Sequence, residues 1–486
     1  MRSLVLFLTL LVSLVACTGE DGKNGVNGTN GTNGTNGFTT LASVVSEPVG
    51  TNCSNGGMKV SSGLDLNSSG VLDPVEVLFV QYACNGATGA TGPGVTWVEV
   101  TGTSVQAVPD TGYLANNPAS QVTITLPASP SLGDVVQVSG IGAGGWQIAQ
   151  NAGQSIITKN LPGSIGALWT SHATPSDWLS VASSSDGTKL VVAVYGGQIY
   201  TSTDSGATWT ARDAAGTFWT SVASSSDGTN LVAVESGGQI YTSTDSGATW
   251  TPNGPILAWA SVASSSDGAN LVAVASGDQI YTSTDSGATW NPQETARTWI
   301  SVASSSDGTM LVAVEYGGQI YTSTDSGTTW TPRDAARNWS SVASSSDGTK
   351  LVAVVDGGRI YTSTDAGETW FAHNANRAWS TVASSSDGTK LIAAELGGQI
   401  YTSTDSGTTW TPRDAARNWS SVASSSNGTK LVAVEYSNGL IWTSSPNTTV
   451  GTAGSISGGQ YDAIELQYAG SGVFTVLSYT GIFVIQ

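Results

Sequence analysis

The sequence predicts an all-β protein in which a seven-bladed β-propeller is inserted into a small β domain, with a small stapled module in front of both. Three observations predict this fold. Near-identical segments recur every 40 or 41 residues between Trp178 and Trp419. Runs of alternating apolar and polar residues flank these repeats on both sides. Finally, the chain has 60 glycines and only 10% charged residues, so it favours short strands and tight turns over helices.

Charge and histidine content exclude some functions. The formal net charge is -19 with only 16 lysines and arginines, so the chain offers no basic patch for phosphates, and nucleic acid is not an expected partner. The two histidines, His172 and His373, are too few for a histidine-based triad or a zinc site. The acidic balance is compatible with an exported protein that holds divalent cations.

Residues 1–16 have the features of a targeting segment. Arg2 supplies the positive start, and residues 4–15 form an apolar core too short to span a bilayer. The segment ends in Leu-Val-Ala followed by Cys17, which resembles the lipobox of bacterial lipoproteins. The resemblance implies cleavage before Cys17, acylation of that cysteine and membrane attachment through the lipid anchor. An ordinary secretory peptide is the alternative. The threonine after Cys17 looks like sorting to the outer membrane or cell surface.

A tether, residues 17–37, follows the targeting segment. Glycine occupies every third position from Gly19 to Gly37, which resembles the Gly-X-Y repeat of collagen. Because the stretch contains no proline to favour the polyproline II backbone, two interpretations stay open: a flexible Asn/Thr-rich tether and a trimer through a triple helix. A second glycine-rich fragment, residues 86–94, is predicted to be a spacer.

A small module, residues 38–85, lies between the two spacers. Its cysteines, Cys53 and Cys84, are expected to pair, because exported proteins commonly hold disulfides. Between them, oxygen-bearing residues have the spacing of a calcium loop and resemble the loops of EF-hand and dockerin proteins: Asp65, Asn67, Ser69, Val71 through its carbonyl, Asp73 and Glu76. The spacing predicts one structural Ca²⁺ ion. A polar turn stapled by the disulfide is the alternative.

The repeats define the predicted propeller, residues 163–445. Each repeat begins with a tryptophan and contains four short alternating runs separated by turn residues, as expected for the four strands of a propeller blade. The tryptophans are Trp178, Trp219, Trp259, Trp299, Trp339, Trp379 and Trp419. The flanking segments 95–162 and 446–486 share an alternating pattern and are predicted to be two parts of one β domain.

Six turns between the third and fourth strands carry the motif S-T-D-x-G-x-T-W. The motif resembles the Asp-box, or bacterial neuraminidase repeat, of sialidases, sortilin-type receptors and photosystem assembly factors. Its aspartate is expected to accept backbone N–H bonds that close the turn, and the glycine two residues later is expected to take a strained backbone angle. The aspartates are therefore predicted to be structural and not catalytic: Asp204, Asp245, Asp285, Asp325, Asp365 and Asp405.

The two ends of the repeat region predict how the ring closes. Residues 166–170 align with the start of a fourth strand, and residues 440–444 align with a third strand. The last blade would then combine three strands from the C-terminal end with one strand from the N-terminal end, which leaves no open sheet edge. The seventh Asp-box is missing at this point because the chain enters and leaves the propeller there.

The loops on the face opposite the Asp-boxes form a candidate binding face. Its carboxylates, tyrosines and arginines are suited to a glycan or a cation: Glu235, Glu315, Glu395, Glu435, Tyr195, Tyr316, Tyr436, Arg337 and Arg417. A solvated rim is the alternative. A sialidase site needs three arginines that converge on one carboxylate, whereas the arginines here repeat at equivalent blade positions. Segments 321–346 and 401–426 are identical, and such repetition is typical of a scaffold.

The sequence therefore favours a cell-envelope lipoprotein that displays a non-catalytic propeller as a binding, adhesion or structural scaffold, with a glycan or an envelope protein as partner. Two alternatives stay open. A glycan-cleaving enzyme, sialidase-like or another glycoside hydrolase, would need unlike residues clustered on the loop face. An assembly factor for an envelope complex is suggested by family analogy.

Overall fold

The computed structural model describes residues 39–47, 50–51, 57–67, 69, 71–84, 95–158, 161, 164–212 and 218–486. Every regular element in these ranges is a β-strand, so the prediction of an all-β fold is confirmed. Within the same ranges, no helix has the length and apolar character needed to cross a membrane. The chain divides into two compact units, Met1–Pro93 and Gly94–Gln486.

The first unit contains an antiparallel sheet of three strands in the order β1, β2, β3. The strands are β1 (Thr39–Glu47), β2 (Gly57–Asp65) and β3 (Val77–Cys84). The first predicted calcium ligand, Asp65, ends β2, and the others lie in the loop that joins β2 to β3.

In the second unit, a β domain is built from both segments that flank the repeats. The first segment supplies β4 (Thr96–Val100), β5 (Ser104–Gln106), β6 (Thr111–Ala115), β7 (Val122–Thr125), β8 (Val135–Gly140), β9 (Trp146–Ala149) and β10 (Ser155–Ile157). The second supplies β29 (Ser455–Gly458), β30 (Ala463–Gly470), β31 (Val473–Thr480) and β32 (Val484–Ile485).

These strands form a six-stranded and a five-stranded sheet around one core. From β4 to β9 the chain alternates between the sheets, so that β4, β6 and β8 pair in parallel, as do β5, β7 and β9. Strands β30 and β29 of the second segment then pair antiparallel with β8 and β9. The buried Trp146 also links the segments, because its indole N–H donates to Asp462 O at 3.0 Å. The two segments therefore share one core.

Strands β11 to β28 form the propeller. Eight of them occupy one strand position of a blade each: β11 (Thr170–Ser176), β12 (Trp178–Ser183), β13 (Leu190–Val194), β14 (Ile199–Ser202), β15 (Thr210–Arg212), β16 (Trp219–Ser224), β27 (Leu431–Glu435) and β28 (Gly439–Ser444). Ten longer strands each span two positions.

Five of the long strands combine the second and third positions of one blade: β17 (Leu231–Ser243), β19 (Leu271–Ser283), β21 (Leu311–Ser323), β23 (Leu351–Ser363) and β25 (Leu391–Ser403). The other five lead from the fourth position of one blade into the first of the next: β18 (Thr251–Ser264), β20 (Asn291–Ser304), β22 (Thr331–Ser344), β24 (Phe371–Ser384) and β26 (Thr411–Ser424).

The strand pairings arrange these segments in seven antiparallel sheets, numbered here as blades one to seven from Trp178 to Trp419. The prediction of a β-propeller is confirmed. Apolar side chains fill the space between adjacent blades. The first tryptophan of each blade is buried and packs edge-on against a ring, as Trp259 does on Tyr281 with 5.2 Å between centroids.

The propeller closes because its first strand pairs with its last strand. β11 pairs antiparallel with β28, from Thr170↔Thr443 to Ser176↔Gly439. The N-terminal end thus supplies the outermost strand of blade seven, whose other strands come from the C-terminal end. A ring of backbone bonds also joins the blades: the N–H of Ser185 donates to Ser226 O at 2.8 Å, and the pattern continues until the N–H of Ser426 donates to Ser185 O at 2.7 Å. Such closure removes exposed sheet edges.

Candidate functional site

Three predictions concern residues that lie wholly or partly outside the described ranges. Cys17 and the Gly-X-Y tether lie outside them, as does Cys53. Cys84 ends β3, and its side chain is not described. Lipidation, trimer formation and the Cys53–Cys84 disulfide therefore stay predictions.

The predicted calcium loop is organised around the buried carboxylate of Glu76, which is 3% exposed. Glu76 Oε1 accepts the backbone N–H groups of Leu66 at 2.9 Å and Asn67 at 3.3 Å. Its Oε2 accepts the N–H of Asp73 at 3.0 Å. Both oxygens thus hold the loop closed through backbone donors.

The other predicted ligands also bond within the loop. Asp65 Oδ1 accepts the N–H of Ser69 at 3.0 Å, and Ser69 Oγ donates to Val71 O at 2.9 Å. The Asn67 amide donates to Asp73 Oδ2 at 2.8 Å. In the part of the chain that the structure describes, no group of three or more His, Cys, Asp or Glu side chains is arranged to hold a metal. Calcium binding and the polar turn both stay predictions.

Each Asp turn, the eight-residue segment that carries the S-T-D-x-G-x-T-W motif, is closed by its own aspartate. Asp204 Oδ1 accepts the N–H of Thr208 at 2.8 Å, and Oδ2 accepts the Thr208 hydroxyl at 2.6 Å. Ser202 Oγ donates to Asp204 Oδ1 at 2.8 Å and accepts the N–H of Gly206 at 2.9 Å. Because these bonds favour the ionised carboxylate, with Thr208 contributing most, the pKa of Asp204 is lowered to about 2. The backbone bond recurs at Asp245, Asp285, Asp325, Asp365 and Asp405.

The turn backbone differs in one respect from the expectation. The glycine does have a positive φ, 91° at Gly206, but the preceding Ser205 has one too, at 60°. The same pair recurs in every Asp turn, with the non-glycine members Ser246, Ser286, Ser326, Ala366 and Ser406. Serine and alanine rarely adopt this conformation, so no sequence signal marked the position.

Most of the charged residues predicted on the loop face lie in ion pairs. Three of the four glutamates lie in ion pairs with arginines of the preceding blade: Arg297–Glu315 at 3.7 Å, Arg377–Glu395 at 3.3 Å and Arg417–Glu435 at 3.6 Å. The fourth, Glu235, accepts the N–H of Phe218 at 3.3 Å. Arg337 contacts Asp334 at 3.4 Å and lies over the ring of Tyr361 at 4.5 Å. Partly exposed pairs of this kind contribute little stability, and they correspond to the solvated rim.

The aromatic residues of the same face are arranged differently. Tyr195, Phe218 and Tyr436, here called the aromatic patch, are 41%, 49% and 37% exposed. Tyr195 lies 5.5 Å from Phe218 and 6.4 Å from Tyr436 between ring centroids. The patch therefore extends across blades seven, one and two. Sequence reasoning missed Phe218, although its place directly before the first tryptophan of a blade puts it on this face.

At the opposite end of the ring, the central channel opens into a cavity of about 170 Å³ lined by serines. They come from the serine triplet that ends the first strand of each blade, such as Ser183, Ser184 and Ser185. Next to them, Asp186 accepts the Ser184 hydroxyl at 2.6 Å and the Thr188 N–H at 2.9 Å. These bonds, led by that from Ser184, lower the pKa of Asp186 to about 2. This end of the channel is therefore lined by serine residues, and the neighbouring turns are held by their own hydrogen bonds.

Comparison with known proteins gives limited matches. Residues 40–84 match a protein family described as a domain of unknown function (DUF7151). No curated protein sequence matches the chain. Among solved structures, it is similar to YCF48 from Cyanidioschyzon merolae, with 18% identity and a TM-score of 0.47 over 58% of this chain and 99% of that chain. A structure described as YCF48 bound to D1 peptide matches with 18% identity and a TM-score of 0.47, over 58% of this chain and 99% of that one.

Proposed function

We propose that the protein is a non-catalytic scaffold of the cell envelope whose propeller binds a glycan through the aromatic patch. The observation that carries the proposal is the group of three exposed, adjoining rings, Tyr195, Phe218 and Tyr436. Aromatic faces pack against the C–H faces of sugar rings, and tyrosine hydroxyls bond to sugar hydroxyls. Exposed apolar groups held together on one face are typical of binding sites.

The patch breaks the symmetry of the ring, which distinguishes it from the repeated scaffold. At the position equivalent to Tyr195, blades two to six carry Ser236, Ser276, Tyr316, Asp356 and Leu396. At the position equivalent to Phe218, the other blades carry Asp177, Ala258, Thr298, Asn338, Ala378 and Asn418. Among these face residues, adjoining aromatic rings occur across blades seven, one and two. The repeated Asp turns, in contrast, are the same in six blades.

Charge near the patch indicates the kind of glycan. Glu235 contacts the backbone of Phe218, and Asp177 Oδ1 accepts the N–H of Asn438 at 2.8 Å in the loop that follows Tyr436. Arg417 already contacts Glu435 and Asp414, at 3.6 and 3.3 Å. An acidic rim repels sialylated or sulfated sugars, so we expect a neutral or amino-sugar glycan.

A glycan array probed with the chain from residue 38 onward tests this proposal. Tyr195→Ala combined with Phe218→Ala is expected to weaken binding at least tenfold, because each lost ring contact contributes on the order of 1 kcal/mol. Tyr316→Ala is the matched control: Tyr316 is 46% exposed at the equivalent position of blade four, and its loss should leave affinity unchanged. If the double variant kept its affinity, or if the control variant lost affinity equally, the aromatic patch would not be the binding site. Turnover of the bound glycan would refute the non-catalytic role.

The envelope location rests on the lipobox that ends in Cys17. Cys17→Ala is expected to move the protein from the membrane fraction to the soluble fraction, because the acyl chains hold it there. Metabolic labelling with a fatty acid should mark the original protein and not the variant. Unchanged membrane partitioning of the variant would contradict lipidation.

The remaining part of the proposal is one structural Ca²⁺ ion in the loop that the carboxylates of Asp65 and Glu76 hold. Calcium titration followed by the melting temperature tests it: a rise that Asp65→Asn abolishes supports a bound ion. No observation favours a glycan-cleaving site, because the candidate carboxylates lie in ion pairs or turn contacts.

A further inference from the structure

Clefts open between neighbouring blades beside the Asp turns, and one cleft is much larger than three of its equivalents. The clefts between blades one and two, two and three, and five and six have volumes of about 10 Å³ each. The cleft between blades seven and one, here called the seam cavity, has a volume of about 340 Å³. Its lining includes Lys430, Leu431, Ser444 and Leu190, whose equivalents line the small clefts.

The difference arises where the seventh Asp turn is absent. In sequence, Thr443 and Ser444 align with Thr402 and Ser403, so Pro446 stands where the turn aspartate would be. The chain continues from there into the β domain, and Thr158 N–H donates to Pro446 O at 2.6 Å. In the described part of the chain, no turn folds back over the cleft on the blade-seven side.

A buried hydroxyl in the seam cavity has lost its partner. In blade five, Ser363 Oγ donates to Asp365 at 2.7 Å and accepts the N–H of Gly367 at 2.9 Å. Ser444 is the equivalent residue in blade seven and is 2% exposed. Among the described residues, its Oγ has no hydrogen-bond partner. A buried hydroxyl without a hydrogen-bond partner destabilises the fold, so Ser444 is suited to bond a ligand.

Lys430 also lines the seam cavity, and its ammonium group has a different hydrogen-bond partner from those of the equivalent lysines. The equivalent Lys350 and Lys390 donate to backbone carbonyls of the next blade, Asp387 O at 2.7 Å and Asn427 O at 2.9 Å. Lys430 Nζ instead donates to Ser205 Oγ at 3.2 Å, and its side chain lines the cavity together with the apolar Leu190, Leu431 and Val432. The pKa of the neighbouring Asp186 carboxyl is lowered mainly by its hydrogen bonds from Ser184 and Thr188, and in smaller part by the charge of Lys430.

We propose that the seam cavity binds a small carboxylic acid with an apolar chain, whose carboxylate takes the place of the missing Asp-turn carboxylate. Ser444 Oγ donates to it, as Ser363 Oγ does to Asp365 in blade five. The Lys430 ammonium supplies the opposite charge, and Leu190, Leu431 and Val432 contact the hydrocarbon chain. A volume of about 340 Å³ lies at the small end of the range of ligand pockets, about 300–1,000 Å³. This favours a small molecule over a protein segment.

Hexanoate titrated into the full chain by calorimetry tests the chemistry. It is expected to bind, and hexanol and hexylamine, which lack the carboxylate, are expected to bind at least tenfold more weakly. Hexylamine binding as tightly as hexanoate would overturn the proposal, as would the absence of hexanoate binding at millimolar concentration. An acidic peptide that binds where hexanoate does not would overturn it in favour of a protein partner.

Single substitutions test the site. Ser444→Ala and Lys430→Met are each expected to weaken hexanoate binding at least fivefold, whereas Lys350→Met, the matched lysine of a small cleft, should have no effect. Ser444→Ala should leave the melting temperature unchanged, and Ser363→Ala should lower it because two hydrogen bonds are lost. Unchanged hexanoate affinity in both seam variants would overturn the site. The site would also be overturned if Ser444→Ala lowered the melting temperature as much as Ser363→Ala does.

Discussion

Replacing Trp299 by alanine is expected to lower the free energy of unfolding by about 3–5 kcal/mol. Trp299 is 0% exposed and belongs to the cluster with Val272, Val274 and Ile280 that joins blades three and four. Its ring also packs edge-on against Tyr321, with 5.1 Å between centroids. The substitution removes these contacts and leaves a cavity that the flanking strands, fixed by their own pairings, cannot fill. Urea denaturation followed by tryptophan fluorescence measures the change.

Phe371→Ala is the control for this prediction. Phe371 is an aromatic residue of the same propeller, at the start of β24, but it is 60% exposed. Its replacement should change the free energy of unfolding by less than about 1 kcal/mol. If Trp299→Ala cost no more than Phe371→Ala, the tryptophan would not be joining the blades, and the assignment of the inter-blade cores would be wrong.

The propeller could be predicted from sequence because its environments repeat. A residue type that returns every 40 or 41 positions must occupy equivalent places in successive blades, so one interpretation of the Asp turn applies to six copies. Asp204 and Asp285, in different blades, accept the same pair of bonds from their threonines. Repetition thus supplied an internal check that a single motif does not provide.

The strand pairing of the β domain, in contrast, could not be predicted from the sequence. Alternating residues in segments such as β7 and β8 mark strands. Alternation is the same for parallel and antiparallel partners, however, so it did not reveal that β4, β6 and β8 run parallel. That arrangement depends on the chain alternating between two sheets, which is a property of the connections and not of any one strand.

The candidate sites were predicted only in part, for a similar reason. Glu435 and Arg417 were predicted on one face, but that they pair at 3.6 Å depends on the reach of two side chains from different strands. The missing Asp turn was recognised beside Ser444, yet the size of the seam cavity depends on the path that the chain takes beyond Pro446. A motif shows where a turn is absent, and the structure is needed to show what the absence opens.

Removing β11 is expected to destroy cooperative folding of the propeller. Two fragments test this: residues 164–445 contain β11, and residues 177–445 lack it. The first keeps β11 and its pairing with β28, including Ser171↔Trp442 and His172↔Ile441. It also keeps Ile165 and Trp169, which pack with Trp419 in the core beside blade seven. The second fragment loses these contacts and leaves the edge of β28 unpaired, ready to associate with other chains.

The fragment 164–445 is therefore expected to elute as a monomer and unfold in one sharp thermal transition. The fragment 177–445 should aggregate or melt broadly, with a midpoint lower by ten degrees or more, as expected for a loss of several kcal/mol. A synthetic peptide of residues 164–176 added in excess should partly restore the transition, because it supplies the missing strand. Equal, sharp melting of both fragments without the peptide would show that blade seven does not need the N-terminal strand, and that the ring closes by the contacts between blades alone.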